Sequence, residues 1–206
     1  MTIGKVTIKG GFLLLMAVLI YFDTSGVIIW MIPAAALHEA GHWLALRLFG
    51  MREEAWEFSL RGVEMRLPAW PALSYGRDFI ATMAGPLCSL LAALLAAKLA
   101  LSQGSGLHAL SGMAFTQGMF NLLPARSLDG GRLLRLAVAR FRGEHAADRV
   151  LGISTAACAV LLTAGGVWVF VVSRQNFAVM LTALYLAAGM LPWGERKNRY
   201  QLADNR

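Results

Sequence analysis

The sequence is poor in charge. Only 15% of its 206 residues are Asp, Glu, Lys or Arg, while 57% are apolar; a soluble domain carries roughly a quarter and a half. That imbalance excludes an ordinary water-soluble globule. Cysteine is nearly absent: there are two, Cys88 and Cys158. Both lie inside apolar runs and read as small core residues, which argues against a disulfide framework or a cysteine metal site. A soluble basic domain is missing too. The net charge of +7 comes from Lys and Arg that border apolar runs, so nucleic acid is not an expected partner.

What the chain does have is long apolar runs separated by short basic segments, the pattern of a polytopic helical membrane protein. A span needs about 20 apolar residues to cross a hydrocarbon core of roughly 30 Å. Spans are expected at 6–22, 27–49, 79–101, 107–141 (interrupted), 150–172 and 177–192. The first is short, with an uninterrupted apolar part from Gly10 to Phe22 and with Lys5 and Lys9 snorkelling at its start. Its small-residue cleavage pattern is weak, so it reads as a retained span and not as a signal peptide. If the N-terminus lies in the cytoplasm, all 19 Lys and Arg except Lys98 and Arg174 collect on the inside. Such asymmetry fits an even number of spans with both termini cytoplasmic. The expected fold is an all-α polytopic membrane protein of about six transmembrane helices, forming a single domain over 1–206 with a cytoplasmic tail at 193–206.

The second span contains His38-Glu39-Ala40-Gly41-His42. Histidines at i and i+4 share a helix face, about 6 Å apart, and suit one zinc ion. Glu39 beside them can take a proton from water activated by the metal. Ionisable groups within a membrane helix are costly, and they are functional by default. The bland alternative is a polar cluster that only packs helices.

Zinc with an open fourth position needs a third protein ligand. His108 falls at the outer end of span four. Glu144, His145 and Asp148 read as a solvated cytoplasmic loop, Glu53, Glu54, Glu57 and Glu64 as interfacial, and Asp78 as a helix N-terminal residue. Asp129 differs. It follows Asn121-Leu-Leu-Pro124 and precedes Gly130-Gly131, a helix-breaking stretch. Broken backbone at membrane depth is tolerated where it is buried in protein or lines a watery cavity. The histidines lie roughly 10–17 Å from the inner end of span two, and a helix from Asp129 to Phe141 measures roughly 18 Å. The two segments can meet at one level, nearer the cytoplasmic face. Arg132 and Arg135 then snorkel, face a cavity, or put the second half of span four partly along the interface.

With both segments in view, the chain resembles the site-2 protease family of intramembrane metalloproteases. The first motif matches their H-E-x-x-H and the second their N-x-x-P…L-D-G; Ala84-Gly85-Pro86 is a weaker third match. The resemblance runs from about residue 27 to 140, the expected catalytic core, with spans five and six at 150–192 beyond it. It implies that His38, His42 and Asp129 ligate one zinc ion and that Glu39 is the catalytic base. Asn121, with Pro124, would help hold the substrate backbone. The early first motif and the six spans look most like the stage IV sporulation protease subgroup, whose members cut a membrane-tethered sigma-factor precursor. The pattern departs from many of those proteins, since no CBS domain and no PDZ-type insert is visible. The resemblance implies the bacterial cytoplasmic membrane, a membrane-tethered protein substrate, possible transcription-factor release and a regulatory membrane protein as partner.

Residues 56–67 alternate in polarity, the period of a strand. Trp56, Phe58, Leu60, Val63, Met65 and Leu67 share one face. A turn at Arg61-Gly62 would pair Leu60 with Val63, Phe58 with Met65, Trp56 with Leu67, and Glu57 with Arg66. This small interfacial β-hairpin could bind an extended substrate along its free edge through Trp56, Phe58 and Leu60, or be a passive interfacial loop. The rival functional class is a non-catalytic metal-binding membrane protein, either a transporter or a helix-binding scaffold. A transporter needs polar residues along a continuous path, whereas here they cluster at one depth.

Overall fold

The computed structural model describes residues 2–3, 6–22, 26, 28–51, 55–59, 62–66, 73–103 and 105–173. The chain forms two compact units, Met1–Phe120 and Asn121–Arg206. The expected sixth span, at 177–192, lies outside the described residues.

The first unit begins with strands β1 (Thr2–Ile3) and β2 (Val6–Ile8), helix α1 (Gly10–Phe22) and a 3-10 turn (Ile28–Trp30). Helix α2 (Met31–Leu48), strands β3 (Ala55–Ser59) and β4 (Gly62–Arg66), and helices α3 (Tyr75–Gln103) and α4 (Ser105–Asn121) follow. The strands form one sheet in the order β1-β2-β3-β4, with β2 and β3 parallel and the outer pairs antiparallel.

The hairpin is therefore present, with two corrections. Its register differs: Trp56 pairs with Met65, Phe58 with Val63, Glu57 with Glu64 and Ser59 with Gly62. The connection falls one residue earlier than expected, and Gly62 serves in the ladder. This moves each pairing by two residues, an even shift that keeps the strand period of two. It also sets two glutamates opposite one another, which is unfavourable alone. The second correction supplies the compensation. Residues 6–8 are not the start of a membrane span. They are strand β2, hydrogen-bonded to β3, and Lys9 after it forms an ion pair with the buried Glu57. With four strands in place of two, the hairpin escapes the marginal stability of an isolated pair.

Helix α1, at 13 residues, is about 20 Å long and shorter than the roughly 30 Å hydrocarbon core. Among the described residues, two helical stretches are long and apolar enough to cross a membrane, Tyr75–Leu101 and Glu144–Trp168. Both expose large apolar side chains, including Ile80, Leu87, Leu91 and Leu95 on the first and Ile153, Val160, Leu161 and Trp168 on the second. Apolar surface on this scale suits lipid and not water. The fold is that of a mostly helical membrane protein.

Helices α2 and α3 pack through small residues, so their backbones come close. A Cβ on Gly41 would sit 2.5 Å from the Ala84 carbonyl oxygen and 2.6 Å from the Cys88 Cβ. Buried Ala45, Leu46, Met51 and Ala81 form one apolar cluster, and Ala34, Ala93 and Ala114 another that includes α4. Ser111 on α4 donates to the Ala93 carbonyl at 2.8 Å.

In the second unit, helix α5 (Asp129–Arg142) and helix α6 (Glu144–Ser173) follow a non-helical stretch at 122–128. The interruption expected in span four is thus real. The expected loop at Glu144, His145 and Asp148 is not: these residues open α6, and the connection is Gly143, whose φ of +80° suits glycine. Arg135 reaches across to Asp148 at 2.9 Å and Glu144 at 2.5 Å. Helix α5 buries Leu133, Leu136 and Ala139, while Arg132, Arg140, Phe141 and Arg142 are exposed. That two-sided character suits a helix lying partly along an interface.

Candidate metal centre

Helix α2 is a good helix-forming run, and its period places His38 and His42 one turn apart on the same face. Their rings meet edge to face, with centroids 4.9 Å apart. The two Nε2 atoms are 3.2 Å apart. Two nitrogens each bound at about 2.0–2.1 Å to one tetrahedral zinc would be about 3.3 Å apart. The pair thus fits a single ion.

Each Nδ1 is committed to α3. His42 Nδ1 lies 2.8 Å from the Ala81 carbonyl oxygen. A carbonyl only accepts, so Nδ1 carries the hydrogen and Nε2 keeps its lone pair. His38 Nδ1 lies 2.9 Å from Ser89 Oγ. Ala81, Gly85 and Ser89 recur every four residues and form one stripe along α3. Gly85 in the middle is where the His42 ring rests: a Cβ there would lie 2.1 Å from His42 Nε2. Glu39 is half-buried beside His38 on α2.

The second unit presents Asp129 as the first residue of α5, where a helix N-terminus favours a negative charge. The stretch before it is tightly folded. Ala125 N–H donates to the Leu123 carbonyl at 2.8 Å, and Leu128 N–H to the Ala125 carbonyl at 2.9 Å. Glycine is required after Asp129. A Cβ on Gly130 would lie 2.1 Å from the Leu122 oxygen, and one on Gly131 2.1 Å from the Ala125 oxygen. Thr155 of α6, almost fully buried, accepts from Arg126 N–H at 3.0 Å and donates to the Leu151 carbonyl at 2.7 Å.

His38, His42 and Asp129 are a group that could hold a metal ion. Of the residues expected to touch substrate, Asn121 ends α4 and Pro124 lies in the stretch before α5. Trp56, half-buried, and Phe58 are on β3. Leu60 lies outside the described residues. Sequence reasoning missed Ser89 and Thr155. For Ser89 a signal existed, since it stands four residues after Gly85 in the weak Ala84-Gly85-Pro86 match. Nothing near Thr155 in sequence pointed to the turn 29 residues away.

No family model matches the chain, and no curated protein matches it by sequence. Among solved structures, the site-2 protease from Methanocaldococcus jannaschii is similar, with a TM-score of 0.66 and 22% sequence identity. The match covers 92% of this chain and 91% of that one. What the two share at this identity is the fold, and it is the fold that the paired motifs implied.

Proposed function

We propose that the chain is an intramembrane zinc metalloendopeptidase that hydrolyses a peptide bond in or near a transmembrane segment of a membrane-tethered protein. The observation that carries this reading is a group, His38, His42 and Asp129, that could hold a metal ion, on a fold like that of a site-2 protease. Two neutral imidazoles and a carboxylate are a donor set that zinc accepts, with a position left open. Zinc, when bound, supplies Lewis acidity and lowers the pKa of water to about 7.

The chain's own residues do the rest. Glu39 takes a proton from the attacking water and returns it to the leaving amine. A substrate helix must unwind first, because its peptide bonds are shielded by their own hydrogen bonds. Asn121, with Pro124, would hold the unwound backbone. Strand β4 ends the sheet order among the described residues, and its outer edge can accept an extended segment by β-augmentation; Trp56, Phe58 and Leu60 are proposed to touch that segment. The substrate is read as a transcription-factor precursor, the membrane as a bacterial cytoplasmic membrane with both termini inside, and the regulator as a membrane protein. The finer placement, with the stage IV sporulation protease subgroup, is part of the same reading.

The test is Glu39→Gln in cells that co-express a tethered substrate. The variant should keep its zinc and stop cutting. Normal cutting by that variant contradicts the mechanism, and zinc without cutting in the wild type favours a scaffold or transporter.

A further inference from the structure

The proposed zinc ligands leave a question about His38. His42 has its tautomer set by a carbonyl, but His38 Nδ1 faces a hydroxyl, and a hydroxyl does not dictate which ring nitrogen is protonated. Its partner, Ser89, is fully buried on α3, 2.9 Å from Nδ1. The His38 side is itself 3% exposed, so water does not compete for this bond. Ser89 also sits on the same α3 stripe as Ala81 and Gly85, the two residues that hold His42. Its environment is crowded, with Gly118 of α4 so near that a Cβ there would lie 3.1 Å from the Ser89 Cβ. Ser89 thus lies where α3 packs against α4.

We propose that Ser89 is a positioning residue that accepts a hydrogen bond from His38 Nδ1–H, fixing the ring orientation and leaving the Nε2 lone pair free for the metal. This rests on the zinc reading above. Partners on the outer nitrogen of a ligating histidine orient the ring and raise its basicity, and their loss costs about 10- to 100-fold in metal affinity. A buried serine on a packing face could instead be a filler between helices. Thr82 provides the comparison. It is another buried hydroxyl on α3, whose Oγ1 has no hydrogen-bond partner among the described residues.

The experiment uses the full chain purified in detergent and stripped of metal. Apparent zinc affinity is measured by competition with a chromophoric chelator for the wild type, Ser89→Ala and Thr82→Ala, with the melting temperature of each metal-free protein recorded alongside. Ser89→Ala should bind zinc about 10- to 100-fold more weakly while its metal-free melting temperature tracks that of Thr82→Ala, whose affinity stays at the wild-type value. Equal affinity for Ser89→Ala and the wild type overturns the proposal, as does an equal loss in Thr82→Ala. If Ser89→Ala does not fold, Ser89→Cys, close to serine in size but a weak acceptor, carries the test: weakened zinc affinity supports the role, and wild-type affinity contradicts it. A wild type that binds no zinc instead overturns the metalloprotease reading, so the two failures are distinguishable.

Discussion

At the scale of single residues, the centre depends on absences of side chain as much as on the ligands. Gly85 lies against the nitrogen proposed to face the metal, since an added Cβ would lie 2.1 Å from His42 Nε2. The imidazole is a rigid ring tied to Ala81, so it cannot yield as a flexible side-chain tip would. Gly85→Ala should therefore lower zinc content to well below one ion per chain, measured by atomic emission on the purified protein, even where the variant inserts and folds. Full zinc occupancy in that variant would mean that the ring has another seat. Gly130→Ala makes the matching prediction for the carboxylate, because its Cβ would meet the Leu122 oxygen at 2.1 Å and push Asp129 out of place.

Elements differ in how firmly they are tied, and magnitudes rank them. Thr155 satisfies the Arg126 N–H from a buried position. Thr155→Val keeps the shape and removes the acceptor, which should cost about 1–3 kcal/mol, read as a fall in melting temperature. Arg135→Ala removes two ion pairs whose acidic partners are about half exposed, and pairs of that kind contribute about 1 kcal/mol or less. The threonine variant should melt lower; the reverse order would mean that the α5–α6 hairpin is held by charge and not by the packed turn. Lys9→Ala leaves the buried Glu57 short of its cation and should cost about 2 kcal/mol, between the exposed and buried limits. The elements that were legible in sequence were those set by local signals. The His-Glu-x-x-His helix, the break between Asn121 and Asp129, and the alternation of β3 and β4 all follow from residues within a few positions of one another. Strand β2 was not legible, since Val6–Ile8 is as apolar as the helix after it and its partner lies some 50 residues away in β3. The hairpin register depended on the same distant strand.

For the whole molecule, composition identified a membrane protein, and the exposed apolar faces of α3 and α6 agree with it. Composition could not separate a span from an amphipathic helix inside a longer apolar stretch, which is why α5 and its arginines were awkward to seat in a single span. The candidate metal site was legible because its ligands stand in two specific motifs; the residues that hold those ligands come from other helices and carry no motif. The central claim is that His38, His42 and Asp129 share one zinc ion. X-ray absorption at the zinc edge of the purified chain tests it directly. The account predicts one zinc per chain with two imidazole nitrogens and oxygen in its shell, and loss of bound zinc in Asp129→Ala. A chain without zinc, a shell containing sulfur or a single imidazole, or an unchanged shell in Asp129→Ala would contradict it.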